Sequence, residues 1–319
     1  MTTRAASITV DLDGLRNYTR IHGLTEAAPT GLDDPIFGVA LERMLELFDR
    51  HGVRATLFCV GEDLAHAGVA ELLRQAAVAG HELGNHSEHH LYDLRAQDAA
   101  TIAAEIALTG ARLEAIAGRP TAGFRVPGYN VSPAITRALV AQGYRYDSSL
   151  FPCPPYYAAK GLVMASLRLR GRPSQSQMTL PWTLTAPIVP YRADVDRPWR
   201  RARASAPHLW EVPMCLVPGV RFPLIGTSLH LLGAAGFGAL LPALARVYKN
   251  VLQLEFHGID FMDGSDRGVP PQLRSAQPDL RVPVGRKLET WRGIFERVRG
   301  RYEFAPLVEA VDFCEQATS

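Results

Sequence analysis

Apolar and polar positions follow two periods along the first half of the chain. "ASITVDLD" (6–13) alternates like a strand. "FGVALERMLELFDRHG" (37–52) spaces Val39, Leu41, Met44, Leu45 and Phe48 like one face of a helix that stops at Gly52. The rhythm then repeats. "VRATLFCVG" predicts a strand, "VAELLRQAAVAG" a helix ending at Gly80, and "HELGNH" a short strand end. "DAATIAAEIALTGARLEAIAG" predicts a long helix, and "AGFRVPG", "SPAITRALVAQG" and "YRYDSSL" another strand, helix and strand. Such a series builds a parallel sheet or barrel with its site at the strand C-termini.

Residues 151 to 210 break the rhythm with many prolines and no clear amphipathic helix, so they predict a basic insertion within one domain spanning 1–319. A hairpin is expected near "MTLPWTLTAPIVPY" (178–191). "LWEVPMCLV" and "VLQLEFHG" then predict strands, and "RKLETWRGIFERVRG" and "APLVEAVDFCEQA" predict helices.

Composition narrows the class. The hydrophobic share is 47% of 319 residues, enough for a core, and the net charge of +2 gives no general pull toward nucleic acid. Four cysteines lie far apart with no CxxC pair, and "MTTRAASITVDLDG" contains no apolar run of signal-peptide length, so a cytoplasmic location is expected.

Polar residues gather at four expected strand ends. Asp11 and Asp13, two apart, share one strand face, where one carboxylate can bind a metal and the other act as a base. His86 and His90 are four apart in "HSEHH", and on one helical turn both rings would project from the same face, a spacing that suits zinc. Each motif has a plain counterpart: a solvated Asp-Gly turn, or surface histidines. His89 is expected to point away and His81 to be a bonded core histidine. In "FRVPGY", Arg125 can hold a carboxylate and the Gly128–Tyr129 backbone can donate to an oxyanion. In "LEFHGID", His257 ends an apolar strand as a candidate general acid.

The ordered set Asp-x-Asp, His-x-x-x-His, Arg-x-Pro-Gly-Tyr and strand-end His resembles the polysaccharide deacetylase family, also called the NodB-homology or carbohydrate esterase family 4 group. The resemblance covers about residues 7 to 151 and again 251 to 263. The commonest family form of the first motif is Thr-Phe-Asp-Asp-Gly. Aligned on Gly14, its base position here holds Leu12, as in the Asp-x-Asp branch near peptidoglycan deacetylase-like, allantoinase-like and lipid-linked aminoarabinose deformylase proteins.

The resemblance implies a distorted barrel of about seven β/α units. It assigns Asp13, His86 and His90 to a divalent metal, with zinc the first choice and cobalt, nickel, iron or manganese as alternatives. It makes Asp11 the base steadied by Arg125, His257 the acid, Tyr129 N–H an oxyanion donor, and Asp147 the carboxylate that orients His257. The implied activity is hydrolysis of an N-acetyl or N-formyl group on an amino sugar. A hydrolase of a small non-sugar amide and a non-catalytic glycolipid-binding barrel are the competing readings.

Two further stretches bear on the substrate. Residues 160 to 203 hold Lys160 and eight arginines against Asp194 and Asp196, and "LIGTSLHLLGAAGFGALLPALA" (224–245) has no charge in 22 residues. That length could span a bilayer, but a single span would separate His257 from Asp13, His86 and His90. The stretch therefore predicts a barrel helix or an apolar face resting on a membrane. Together the two features suggest a lipid- or polyprenyl-phosphate-linked substrate and peripheral contact with the inner face of a membrane.

Overall fold

A computed structural model describes residues 4–203 and 206–316. The first β/α units are β1 (Ala5–Leu12), α1 (Leu15–Ile21), α2 (Leu41–Arg50), β2 (Thr56–Cys59), α3 (Ala67–Val78) and β3 (Glu82–Asn85). They continue with α4 (Ala99–Ala117), β4 (Gly123–Phe124), α5 (Pro133–Ala141) and β5 (Tyr146–Asp147). The next segment carries α6 (Pro154–Leu169), β6 (Tyr191–Asp194), β7 (Arg197–Arg201), β8 (His208–Glu211), β9 (Leu216–Val217) and β10 (Phe222–Pro223). Then come α7 (Gly226–Val247), β11 (Val251–His257), α8 (Pro271–Ala276), α9 (Val284–Arg299), β12 (Glu303–Phe304) and α10 (Leu307–Gln316). Ala317, the end of the expected last helix, Met1 to Thr3 of the N-terminal stretch, and Ala204 and Ser205 of the insertion lie outside the described residues.

Seven strands run parallel in the order β11-β1-β2-β3-β4-β5-β8, and β6 and β7 extend the β8 edge antiparallel. This is the expected α/β parallel-strand architecture of a distorted (β/α)7 barrel, with one seam. Between β8 and β11 no ladder forms among the described residues. Ile225 makes a single parallel bridge to Glu255, and Gln253 N–H donates to Cys215 Sγ at 3.2 Å.

Helix ends follow local chemistry. Asp98 caps α4 by accepting from Thr101 N–H, and Gly118 closes it at φ 69°, a conformation glycine adopts without Cβ strain. Ser132 caps α5, with Pro133 at the first helical position. On the outer face of the sheet, Phe48, Phe256, Trp291 and Phe295 pack ring against ring under α2 and α9, with Phe256 and Trp291 4.9 Å apart.

Four expectations need correction. Residues 154–169, expected to lack a helix, form α6. Pro154 and Pro155 open it, where the first N–H groups have no intrahelical acceptor, so these prolines start the helix instead of breaking it. The hairpin lies at β6–β7, beyond 178–191, and Pro181–Thr185 form a 3-10 turn. "LWEVPMCLV" is two strands, because Pro213 falls between β8 and β9. His86 and His90 lie in a loop, not on a helical turn, with Ser87 at φ 62° and His90 at φ 52°.

The uncharged stretch is α7. It packs on α9 and β11, burying Phe237, Leu241 and Leu244, and it is kinked at Gly233 with Pro242 inside it. It is long and apolar enough to cross a membrane, yet that packing makes it a barrel helix whose outer side is exposed.

Candidate metal and catalytic site

The site lies at the C-terminal mouth of the sheet. β1 ends in extended backbone, so Asp11 and Asp13 point into one cleft while Leu12 is buried on the other side. Asp11 stands in register beside His257 of β11 and Phe58 of β2.

The loop after β3 brings in both histidines, and buried polar contacts hold it. Asn85 Oδ1 accepts from Ser87 N–H at 2.8 Å, while its Nδ2 donates to Ile106 C=O at 2.8 Å and contacts Tyr144 Oη at 2.6 Å. Glu88 turns inward and accepts from Thr109 Oγ1 at 2.9 Å. Gly61 leaves it room, since a Cβ there would fall 2.0 Å from Glu88 Oε2.

Three side chains converge. Asp13 Oδ1 lies 3.3 Å from His86 Nε2 and 3.2 Å from His90 Nε2, and the three candidate ligand atoms fall within 4.8 Å of one another. His86 Nδ1 is 2.7 Å from the Arg125 carbonyl, which leaves Nε2 to face the cleft. Asp13 Oδ1 and both His90 ring nitrogens are buried without a hydrogen-bond partner. Buried polar atoms of this kind need a partner. Two imidazole nitrogens and a carboxylate oxygen are a donor set that suits zinc and its neighbours, so these residues fit a divalent metal. Burial alone would push Asp13 upward, but the two imidazoles hold its carboxyl well below the usual range.

Behind the triad sits a fully buried guanidinium. Arg125 Nη1 donates to Asp11 Oδ1 at 2.5 Å, Nε to Ser148 C=O at 2.8 Å, and Nη2 to Thr9 Oγ1 and Ser148 Oγ at 3.1 and 2.9 Å. Its plane lies over the Phe58 ring at 4.2 Å. With the Gln253 amide oriented to donate to the Val212 and Pro213 carbonyls, its oxygen accepts from Arg125 at 2.6 Å. Arg125 thus holds Asp11 by one nitrogen, not by the two-pronged contact that sequence suggests.

His257 completes the cleft. Its Nδ1 lies 3.0 Å from Glu255 Oε1, and its Nε2 lies 4.0 Å from Asp11 Oδ2. Desolvation works against its charge, but Glu255 and Asp11 outweigh it and raise His257 to about 9.

Two expected roles do not match the geometry. Asp147 does not reach His257; it bonds Ser149 Oγ and pairs with Glu211, its neighbour across the β5–β8 ladder. Glu255 orients His257 instead. It was legible by the same two-residue spacing as Asp11 and Asp13, since Glu255 and His257 share one face of β11. The Tyr129 N–H bonds the Val126 carbonyl at 3.1 Å within a tight turn, so it is engaged locally, while the Tyr129 hydroxyl donates to Glu255 at 2.9 Å. His89 turns out to Glu105 and His81 accepts from Ala55 N–H at 3.1 Å, as expected for residues outside the site. Tyr18, Tyr92, Tyr156 and Lys160 also line the cleft, and no sequence motif marked them.

A seven-strand parallel α/β architecture with an Asp-His-His cluster at its mouth defines a class, and the comparisons agree. The family model described as polysaccharide deacetylase matches residues 33–146 of this chain. A peptidoglycan deacetylase of Helicobacter pylori is 26% identical over 157 residues, covering 48% of this chain and 52% of that protein. The chain thus spans about half the length of the curated relative it matches.

Solved structures share the fold. A putative polysaccharide deacetylase from Mycobacterium smegmatis superposes with TM-score 0.56 at 18% identity, covering 99% of this chain and 92% of that one. A probable polysaccharide deacetylase from Pseudomonas aeruginosa PAO1 gives 0.56 at 15%, covering 98% and 91%. Puue allantoinase gives 0.56 at 14%, covering 97% and 89%.

Proposed function

We propose that this chain is a metal-dependent amidohydrolase that removes an N-acyl group, acetyl or formyl, from an amino sugar of a glycan or glycan precursor. The observation that carries the reading is the convergence of Asp13, His86 and His90 within 4.8 Å, in the same cleft as Asp11 and His257. The polysaccharide deacetylase match and the peptidoglycan deacetylase relative support a sugar substrate.

A zinc or similar ion on these three ligands would supply Lewis-acid polarisation of the acyl carbonyl and an acidified water. The chain's own residues do the rest. Asp11 has one oxygen occupied by Arg125, and its Oδ2 faces His86 and His257 at 3.9 and 4.0 Å, placed to take a proton. Glu255 keeps the proton on His257 Nδ1, so Nε2 can deliver one to the leaving amine. The Tyr129 hydroxyl donates to the same oxygen of Glu255, Oε1, and helps to hold it in place.

Within this reading, the insertion supports a substrate held at a membrane surface. The outer side of α6 exposes Leu162 and Leu169, with Arg168 in its last turn and Arg170 and Arg172 just beyond; Val163 is exposed as well, and Met178 and Trp182 are exposed nearby in sequence. Apolar side chains flanked by arginines match an anionic bilayer face. Co-sedimentation with vesicles containing anionic lipid tests this. Leu162→Asp with Leu169→Asp should release the protein, and equal sedimentation of wild type and variant would refute it.

The activity test is metal content measured beside acid release from N-acetyl and N-formyl amino-sugar oligosaccharides, for wild type and His86→Ala. About one metal per chain with acid release, both lost in the variant, supports the hydrolase. Turnover of a small non-sugar amide alone would shift the reading to an allantoinase-like enzyme. Saccharide binding without metal or turnover would shift it to a binding protein.

A further inference from the structure

The insertion reaches back over the cleft. Gln175 N–H meets Arg20 C=O at 3.5 Å, Thr179 Oγ1 donates to Tyr129 C=O at 3.4 Å, and Cys153 Sγ bonds Arg221 C=O at 3.1 Å. α6 therefore has two sides. Its outer side carries the exposed Leu162 and Leu169; its inner side sends Tyr156 and Lys160, one turn apart, into the cleft that holds Asp13 and His257.

Lys160 is unlike the other charged residues there. It is the one lysine or arginine among the residues lining the cleft. Among the described residues no carboxylate lies within 4.0 Å of its Nζ, whereas Arg125, deeper in, is fully engaged. The ring centroids of Tyr156 and Tyr157 lie 5.9 and 5.7 Å from its Nζ. Those distances sit at the outer edge of useful cation–π contact, about 6 Å. An ammonium partly removed from water with no counter-charge is costly. The same cleft carries the carboxylates Asp11 and Asp13, which would repel an anion placed beside them. The cleft thus holds both the reacting centre and, on α6, an unanswered cation.

We propose that Lys160 binds an anionic group on the substrate, a carboxylate or phosphate carried by the amino sugar away from its acyl nitrogen, and so fixes which end of the sugar meets Asp13 and His257. The inference rests on the cleft being the deacylation site. It adds a requirement that the neutral sugar does not meet: charge complementarity then sets orientation and selectivity more than raw affinity.

The test uses zinc-reconstituted full chain and three probes of equal length: a neutral N-acetylglucosamine oligosaccharide, one bearing a carboxylate-ended ether on its sugars, and one ending in a phosphate ester. Dissociation constants and acid release are measured for wild type, Lys160→Met and Lys160→Arg, with thermal melting as the folding control. Wild type should bind one anionic probe at least tenfold more tightly than the neutral one, and the preferred arm names the anion. Lys160→Met should bring that ratio to within twofold, Lys160→Arg should keep it, and added salt should shrink it.

A wild-type ratio near one, or an unchanged ratio in a folded Lys160→Met protein, would overturn the inference. Anionic preference lost in Lys160→Met, with no acid release from any probe by wild type, would keep the anion site and sink the deacylation reading. Acid release with no anionic preference would do the reverse.

Discussion

Two carboxyl pairs sit on the same sheet and differ in almost everything but residue type. Asp11 and Asp13 lie on one strand, two residues apart, and cationic or imidazole partners answer them: Arg125 for one, His86 and His90 for the other. Asp147 and Glu211 lie opposite each other on neighbouring strands, buried, and accept from the neutral donors Ser149 Oγ and Leu150 N–H. Burial raises Asp147 to about 7 and Glu211 well above the usual carboxylate range. The first pair is built to carry charge into a cleft. Burial pushes the second toward its neutral form. Environment, not identity, separates a reactive carboxylate from a structural one.

The comparison breaks most visibly at the ligand end. Asp13→Asn should abolish metal binding, measured by elemental analysis, and cut acid release by about a thousandfold or more, because one ligand of three is lost and the polarising ion with it. Asp147→Asn should retain the metal. Arg125→Met comes next: it leaves Asp11 buried and unpaired, and breaking a buried pair from one side costs about 3–5 kcal/mol. Denaturant unfolding should show a loss of that order.

Sequence carried the strand-tip pair well and the buried pair poorly, for a physical reason. Asp11 and Asp13 share a face because of strand geometry alone, a local property. Asp147 and Glu211 meet only through the β5–β8 register, which also brings Ser148 Oγ to the Val212 carbonyl, a contact between residues 64 apart in the chain. The parallel β/α architecture was legible in the repeated strand–helix rhythm, and the count of about seven units only in the family resemblance. The histidine pair was legible in spacing, though the loop's two left-handed residues, not a helical turn, bring the rings to 4.9 Å. α6 was missed because its prolines looked like breakers and its side chains show no stripe of alternating faces. Lys160 stood out only as one charge of a basic stretch, and its place in the cleft beside Tyr156 was missed because the insertion folds back across the mouth, a tertiary fact with no local signature.

A moderate effect should separate the two pairs by pH. His257 belongs to the first neighbourhood and is raised to about 9 by Glu255 and Asp11 against the cost of burial. A free imidazole titrates near about 6.5. The protonated ring therefore adds stability that is fully present below about 6.5 and is lost as pH rises through 9. The same proton serves the leaving amine, so kcat should fall on the alkaline side near that value. Glu255→Gln should move this limb toward neutrality. A limb that stays in place would remove Glu255 from the role given to it here.

The smallest effect should come from the buried pair, with the same sign in a lower pH window. Asp147 is raised to about 7 from an unfolded value near about 3.9, so the folded chain holds a proton that the unfolded chain has released. Stability should then decline as pH climbs from about 4 to about 7. Asp147→Asn keeps a hydrogen-bonding side chain with no proton to lose, and should flatten that slope in melting temperature measured across this range. Its kcat should change by less than about threefold, because Asp147 bonds Ser149 and Glu211 and touches neither His257 nor the ligand triad. If Asp147→Asn instead shifted the alkaline limb of kcat as Glu255→Gln does, the two carboxyl pairs would be coupled through Arg125, and the division between reactive and structural carboxylates would fail.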